Sequence, residues 1–176
     1  ENLKKEDTAS LKKGLINLER HILNIKKFGL EPIVAINHFA LDTKKEIDVV
    51  LNFCKDMKVQ VSECKHWAMG GKGTTDLARK VVKICKGSKK SNFKFLYQDS
   101  LNLWDKIEKI VKEIYRGDRV IANEEIKEKL KVFESNGYKN LPVCIAKTQY
   151  SFSTDPKLKG APSNHEIPIR EVRLSS

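Results

Sequence analysis

The sequence predicts an α/β fold whose first half contains a parallel sheet. Two short runs rich in β-branched residues, 32–36 and 59–62, each follow a stretch with helical periodicity, and each is followed by a polar or glycine-rich segment. Helix, strand and loop in this repeating order are typical of a parallel sheet, whose ligands bind beyond the carboxyl ends of the strands. We therefore expect the two segments that follow the strands, 37–42 and 67–73, to meet at one edge of the sheet.

Three helices are predicted around these strands. The first stripe of apolar residues is followed by Gly29, a residue that commonly terminates helices. The second helix begins where Thr43 and Glu46 have the spacing of a capping box, and the third begins near Thr74 or Thr75. The apolar positions recur at steps of three and four: Leu11, Leu15, Leu18, Ile22 and Ile25, then Ile47, Val50, Leu51 and Cys54, then Leu77, Val81 and Ile84.

A polar segment at 86–91 indicates a boundary, so we divide the chain into 1–90 and 91–176. The second part is predicted to be a smaller α/β segment with two helices, the later one ending at Asn136 and Gly137. Its elements, in chain order, are a strand at 93–97, a helix around 107–114, a helix around 126–133, a strand at 141–146, a long loop at 147–162 and a closing strand at 167–174.

The chain carries a net charge of +11, with 34 Lys and Arg against 23 Asp and Glu. A basic chain raises the hypothesis of nucleic-acid binding, because phosphate neutralisation supplies most non-specific affinity. Most of these basic residues are lysines that alternate with Asp and Glu along helical stretches, which is typical of solvated helix faces. We therefore expect no nucleic-acid partner, although the positive field can attract anionic ligands such as nucleotides or a polyglutamylated cofactor.

The composition, with 40% hydrophobic and 32% charged residues, is that of a soluble globular protein. No apolar run reaches the roughly 20 residues of a membrane span, so we expect no membrane partner. The charged first residues do not form a secretory signal, unless the true N-terminus lies elsewhere. Four cysteines without a CxxC pair indicate reduced thiols, and the expected location is therefore the cytoplasm.

Residues 37–42 are the first candidate for a binding segment. Asn37 and Asp42 supply an amide and a carboxylate that can recognise the amino and oxo edge of a purine or a pterin, and Phe39 offers a stacking surface. The structural alternative is that Asp42 or Thr43 only caps the next helix while Phe39 packs in the core.

Trp67 opens the second candidate segment and could face Phe39 across a slot suited to a flat heterocycle. Three glycines follow it, Gly70, Gly71 and Gly73, which suggests close approach of the backbone to a ligand. The competing interpretation is that Trp67 is a core residue.

Several other sites are excluded or weaker. Lys72 is followed by Gly73 instead of Ser or Thr, and His66 stands where the Walker pattern needs a glycine, so this is not a phosphate loop. Cys64 and His66 lack a second ligand pair, so no metal site is predicted. No catalytic Ser/His/Asp or Cys/His set is found. The loop after 141–146 is a possible binding loop, with hydrogen-bonding residues Lys147, Thr148, Gln149, Tyr150 and Ser151.

Five segments resemble, in order, parts of formate–tetrahydrofolate ligase, also called 10-formyltetrahydrofolate synthetase. They are 14–28 (GLINLERHILNIKKF), 34–46 (VAINHFALDTKKE), 67–79 (WAMGGKGTTDLAR), 138–162, which includes NLPVCIAKTQYSFS, and 167–175 (IPIREVRLS). One departure is Thr154, where many relatives carry an acidic residue. The resemblance covers almost the whole chain.

The resemblance implies an ATP-dependent ligase that joins formate to tetrahydrofolate through formyl phosphate. It further implies a phosphate-loop NTPase-like domain, to which 1–90 contributes the second half, and a helical hairpin with part of a C-terminal α/β domain at 91–176. Family members use Mg²⁺ with ATP, are activated by monovalent cations and are usually homotetramers. Phe39 and Trp67 would clamp the pterin ring, with Asn37 and Asp42 nearby.

The family's phosphate loop, and the arginine-containing segment that supports formyl phosphate, correspond to nothing in these 176 residues. The chain is therefore expected to be part of such a ligase, with no catalytic residue of its own and negligible turnover alone. The alternative from another functional class is a truncated, non-catalytic module that binds folate or docks onto the oligomer.

Overall fold

A computed structural model describes residues 5–87, 92–146 and 148–175 of the chain. The structure divides into two compact units, Glu1–Lys94 and Phe95–Ser176. Each unit combines helices with a two-stranded parallel sheet, which confirms the predicted α/β class. Lys147 lies outside the described residues. None of the helices in the described part of the chain is both long and apolar enough to cross a membrane.

The first unit alternates helices and strands, as the sequence predicts. Its two strands pair in parallel, with Ile33 opposite Gln60 at one end and Asn37 opposite Cys64 at the other. The elements are α1 (Thr8–Lys27), β1 (Ile33–Asn37), α2 (Lys44–Asp56), β2 (Gln60–Cys64), α3 (His66–Met69), a 3₁₀ turn (Gly70–Thr74) and α4 (Thr75–Gly87).

The ends of α1 and α2 are set by local chemistry. Gly29 has a φ of +72°, as expected for a glycine after a helix, and a Cβ there would collide with the backbone carbonyl of Asn92. At the start of α2, Thr43 Oγ1 accepts a hydrogen bond from the Glu46 N–H at 3.3 Å, and the Glu46 carboxylate accepts one from the Thr43 N–H at 3.2 Å. Glu46 also accepts from the Asp7 N–H at 3.0 Å, so one carboxylate joins the beginnings of both helices.

We expect Thr43→Ala to destabilise the protein by about 1 kcal/mol, because it leaves a helix N-terminal N–H without its side-chain acceptor. Thr43→Ser keeps the hydroxyl and should cost much less. Thermal unfolding of both variants beside the wild type measures the difference. Equal stability of the alanine and serine variants would show that the capping box contributes nothing.

The second unit packs two helices over a short sheet. Its core consists of Leu103, Ile107, Val111, Leu130 and Ile167. The elements are α5 (Leu103–Ile110), which continues as a wider turn (Val111–Tyr115), β3 (Arg119–Ile121), α6 (Glu124–Phe133), which continues likewise (Glu134–Tyr138), and β4 (Glu166–Pro168). Both predicted helices are confirmed, and Gly137 ends the second with a φ of +87°.

The predicted strand at 141–146 is wrong, because side chains occupy the backbone groups that a ladder would use. The Val143 N–H donates to Tyr97 Oη at 2.9 Å, and Tyr97 Oη donates to the Val143 carbonyl at 3.3 Å. The buried ammonium of Lys106 donates to the carbonyls of Lys139 at 2.7 Å and Leu141 at 3.0 Å. The segment is therefore extended and anchored without a strand partner.

Three further predictions of local structure need correction. The segment 93–97 is irregular, although the Lys94 N–H donates to the Phe28 carbonyl at 3.0 Å. The closing strand is short, since only Glu166–Pro168 pairs with β3, a strand that the sequence analysis missed. The predicted loop at 67–73 is a short helix followed by a 3₁₀ turn. Gly70, with a φ of +54°, ends the helix, and the chain continues in the 3₁₀ turn instead of an irregular loop.

Candidate functional site

The carboxyl ends of β1 and β2 lie side by side and carry both candidate segments of the first unit. Asn37 and Cys64 are opposite each other in the register, and the His38 N–H extends the ladder by donating to the Cys64 carbonyl at 3.0 Å. The segments beginning at Asn37 and Lys65 therefore leave the sheet at the same edge, as the parallel arrangement predicts.

The structure brings the rings of Phe39 and Trp67 together at this edge. Their centroids are 6.2 Å apart, and the ring planes are inclined by 41°. Phe39 is 49% exposed and Trp67 is 74% exposed, so neither is a core residue and the structural alternative for both is wrong. Two large aromatic side chains that converge in solvent leave apolar ring surface uncovered, which makes this pair the candidate site for a flat ligand.

Asp42 holds the turn that presents Phe39. The Phe39 N–H donates to Asp42 Oδ2 at 2.8 Å, and the Asp42 N–H donates to the Phe39 carbonyl at 3.0 Å. Thr43 caps helix α2, so Asp42 is not the capping residue of that helix. Asn37, the last residue of β1, is exposed at the same edge.

The glycines after Trp67 have different structural roles. The Lys65 N–H donates to the Gly73 carbonyl at 3.0 Å, which closes the turn around Trp67. A Cβ on Gly73 would lie 2.5 Å from the Lys65 carbonyl carbon and oxygen, so Gly73 is required by the protein's own backbone. A Cβ on Gly71 would meet nothing within 4 Å, and Gly70 is needed for its positive φ.

A cluster of one carboxylate and two basic side chains that the sequence analysis missed lies beside the aromatic pair. Glu63 Oε1 is 2.7 Å from His38 Nδ1 and 2.9 Å from Lys65 Nζ. The ammonium of Lys65, and then the imidazole of His38, lie close enough to lower the pKa of the Glu63 carboxyl below its ordinary value. A charged residue near the end of each strand is the only sequence signal for this cluster, and it does not show that the three side chains meet.

A cavity of about 470 Å³ lies next to this edge, between the start of α1, β1 and α2. Asp42 contributes to its wall together with Asp7, Glu46, Leu41 and Val50, but neither Phe39 nor Trp67 does. We base the site on the aromatic pair, because the polar groups of Asp7 and Glu46 are already engaged in capping the two helices. A ring held by Phe39 and Trp67 would lie outside this cavity.

The predicted binding loop belongs to the second unit. Thr148 and Ser151 form an isolated bridge, and the Tyr150 N–H donates to Thr148 Oγ1 at 3.2 Å. Gln149 and Tyr150 are exposed, whereas the following Phe152 is buried and anchors the loop.

Among the residues that the structure describes, no three His, Cys, Asp or Glu side chains form a group that could hold a metal ion. All four cysteines are free thiols, with Cys54 and Cys64 buried and Cys85 and Cys144 exposed.

Comparison with known proteins identifies a family for this chain. The family model described as formate–tetrahydrofolate ligase matches residues 1–176. Proteins named formate–tetrahydrofolate ligase from Pelagibacter ubique and Mesorhizobium japonicum are 54% and 50% identical over 176 residues, which is all of this chain and 31% of each relative. The protein of that name from Ruegeria pomeroyi is 50% identical over 171 residues, covering 97% of this chain and 30% of the relative.

The chain thus spans about a third of the length of these relatives, and the match extends over both units of the structure. The segments on which the sequence resemblance was based, including those that carry Phe39 and Trp67, lie inside the matched residues. On this evidence, the chain belongs to the formate–tetrahydrofolate ligase family.

Proposed function

We propose that this chain is the tetrahydrofolate-binding part of a formate–tetrahydrofolate ligase, in which Phe39 and Trp67 hold the pterin ring between them. The observation that carries the proposal is the pair of exposed rings, 6.2 Å apart, at the carboxyl edge of a parallel sheet. The relatives are named for an enzyme that acts on formate and tetrahydrofolate, and the pterin of tetrahydrofolate is the heterocycle that such a pair would take.

The spacing of the rings is compatible with this ligand after a small movement. A ring stacked between two others needs about 3.5 Å on each side, or about 7 Å between the outer rings. The observed 6.2 Å and the 41° inclination mean that the pair must open by about 1 Å and become more nearly parallel. Trp67, being largely exposed on its short helix, has room for that rotation.

Polar groups beside the pair would fix the orientation of the ring. The amide of Asn37 can both donate and accept, and the Asp42 carboxylate can accept from an amino group while Oδ2 holds the Phe39 turn. The exposed backbone at Gly70 and Gly71 would border the same ligand. In the second unit, we propose Thr148, Gln149, Tyr150 and Ser151 as loop contacts.

The described residues do not fit the triphosphate of ATP. A phosphate cradle needs backbone N–H groups that point outward from a glycine-rich turn. The turn around Lys72 lacks the sequence of such a cradle, because Gly73 follows Lys72 where a phosphate loop has Ser or Thr, and His66 stands where it has a glycine. We therefore derive no phosphoryl-transfer step from these residues.

The contribution of this segment to the reaction would be positioning. A pterin held on both faces cannot tumble, so the folate nitrogen that accepts the formyl group is kept in one place, and such orientation can supply several kcal/mol of a barrier. Formation of formyl phosphate from ATP and formate, with Mg²⁺ and a monovalent cation, would be the task of a phosphate-loop NTPase-like region of the longer ligase. Assembly as a homotetramer in the cytoplasm belongs to the same proposal.

Titration calorimetry of the full-length protein tests the assignment of the ligand. Phe39→Ala should weaken tetrahydrofolate binding about ten-fold, because stacking on an aromatic side chain contributes about 1–3 kcal/mol. Binding of MgATP should be unchanged. The matched control is Phe95→Ala, which removes an exposed phenylalanine from the second unit and should affect neither ligand. Weaker MgATP binding with unchanged tetrahydrofolate binding would assign the pair to adenine instead.

A further inference from the structure

Glu63 connects the two chain segments that carry the aromatic pair. Its Oε1 contacts His38 Nδ1 at 2.7 Å and Lys65 Nζ at 2.9 Å. His38 immediately precedes Phe39, and Lys65 lies two residues before Trp67. The same carboxylate oxygen therefore contacts one side chain at the start of the turn that carries Phe39 and one at the start of the turn that carries Trp67.

Among the described residues, backbone hydrogen bonds hold each turn internally and join the two turns at their bases. Phe39 is held by its two hydrogen bonds with Asp42, and the turn after Trp67 is closed by the Lys65 N–H and the Gly73 carbonyl. The bond from the His38 N–H to the Cys64 carbonyl is the last step of the ladder at this edge. Beyond that step, the distance between the rings depends on side-chain contacts, and those of Glu63 reach both turns.

We propose that Glu63 is a positioning residue that sets the spacing and inclination of Phe39 and Trp67 and thereby controls the affinity for the pterin ring. The inference rests on the proposed function of the pair. Glu63 would act through Oε1, which contacts His38 and Lys65, and this role does not require contact with the ligand.

The charge state of Glu63 is suited to this role. The nearby Lys65 ammonium and His38 imidazole lower the pKa of its carboxyl, so Glu63 is an anion at neutral pH. Its side chain is 31% exposed, which places the cluster at the surface, where such pairs contribute modestly. The expected effect of losing the cluster is accordingly smaller than that of losing a ring.

Steady-state kinetics of the full-length protein, with formate, tetrahydrofolate and MgATP as substrates, test the inference through a double-mutant cycle. We expect Glu63→Ala to raise the KM for tetrahydrofolate about five-fold, with kcat and the KM for ATP unchanged. In the background of Trp67→Ala the same substitution should change the KM for tetrahydrofolate by less than about two-fold, because the aromatic pair whose spacing Glu63 would control is then absent. Glu63→Gln, which keeps the shape but loses the charge, should fall between.

The controls separate positioning from general damage. Glu128→Gln removes a carboxylate that pairs with Lys131 on the surface of α6 and should leave all kinetic constants at wild-type values. If Glu63→Ala fails to fold, the change in the KM for tetrahydrofolate is measured for Glu63→Gln instead, in the wild-type and Trp67→Ala backgrounds.

Two results would overturn the inference while leaving the proposed function intact. One is an unchanged KM for tetrahydrofolate in both Glu63 variants although Trp67→Ala raises it. The other is an equal rise with and without Trp67, which would mean that Glu63 acts independently of the pair. If Trp67→Ala itself leaves the KM unchanged, the proposed function fails, and the role of Glu63 fails with it.

Discussion

Replacing Trp67 with alanine in the full-length protein is expected to raise the KM for tetrahydrofolate at least about ten-fold, with the KM for ATP nearly unchanged. Stacking of a heterocycle on an aromatic side chain contributes about 1–3 kcal/mol, which corresponds to roughly 5- to 150-fold in affinity. The side chain of Trp67 is 74% exposed and its ring neighbours are His66 and Phe39, so its removal leaves the core intact. The loss should therefore appear in binding and not in stability.

Trp67→Phe is the matched control, since it keeps an aromatic face at the same position and should recover most of the affinity. Phe39→Ala should behave like Trp67→Ala. The affinity for tetrahydrofolate should fall by less in the double variant than the product of the two single effects. Both rings stack on the same ligand, so the second ring contributes less once the first is absent. Equal increases in the KM for both tetrahydrofolate and ATP would show that Trp67 is a structural residue and would remove the basis of the clamp.

The helices could be predicted because their determinants are local. The spacing of apolar residues and the pair Thr43 and Glu46 lie within a few residues of the structure they specify, and the capping box forms as expected. The burial of each position was less predictable. Ile22 is buried while Ile25, on the same stripe, is 41% exposed, since burial depends on which other elements cover the helix.

Strands were harder to predict because a strand is defined by its partner. The apolar segment around Val143 has the composition of a strand, yet Tyr97 and Lys106 satisfy its backbone, and no pattern within 141–146 reveals those distant side chains. The segment Arg119–Ile121 is too short to be recognised by its pattern, and it forms a strand through its pairing with Glu166–Pro168, more than 40 residues later.

The sequence was sufficient to predict the part of the candidate site that follows from the parallel pairing of the two strands. Parallel pairing places the segments after β1 and β2 at one edge, and this brings Phe39 and Trp67 together. The cluster of Glu63 with His38 and Lys65 depends on the directions of three side chains from two strands, which neither periodicity nor spacing specifies. No sequence pattern distinguishes a glycine that borders a ligand from one that packs against the protein's own backbone.

Gly73→Ala is expected to destabilise the segment around Trp67 by about 3 kcal/mol. The added Cβ would lie 2.5 Å from both the carbon and the oxygen of the Lys65 carbonyl and 2.9 Å from the His66 nitrogen. Backbone atoms cannot move aside as the end of a long side chain can, and overpacking of this kind commonly costs 1–3 kcal/mol. Relief of the clash would stretch the hydrogen bond from the Lys65 N–H to the Gly73 carbonyl, which closes the turn.

Hydrogen–deuterium exchange of the full-length protein measures this local loss. The Lys65 amide should exchange about 100-fold faster in Gly73→Ala, as expected when local opening becomes easier by almost 3 kcal/mol. Gly71→Ala is the control two residues earlier, where a Cβ meets nothing within 4 Å, and its exchange should be as slow as in the wild type or slower.

The two glycines also distinguish a structural role from a ligand contact. If Gly71 borders the bound pterin, Gly71→Ala should raise the KM for tetrahydrofolate while exchange at Lys65 stays slow, because the added methyl group then meets the ligand and not the protein. Gly73→Ala should change both quantities together, since a displaced turn carries Trp67 with it. A Gly73→Ala variant with wild-type exchange and a raised KM would contradict this account and would mean that Gly73, too, leaves space for the ligand.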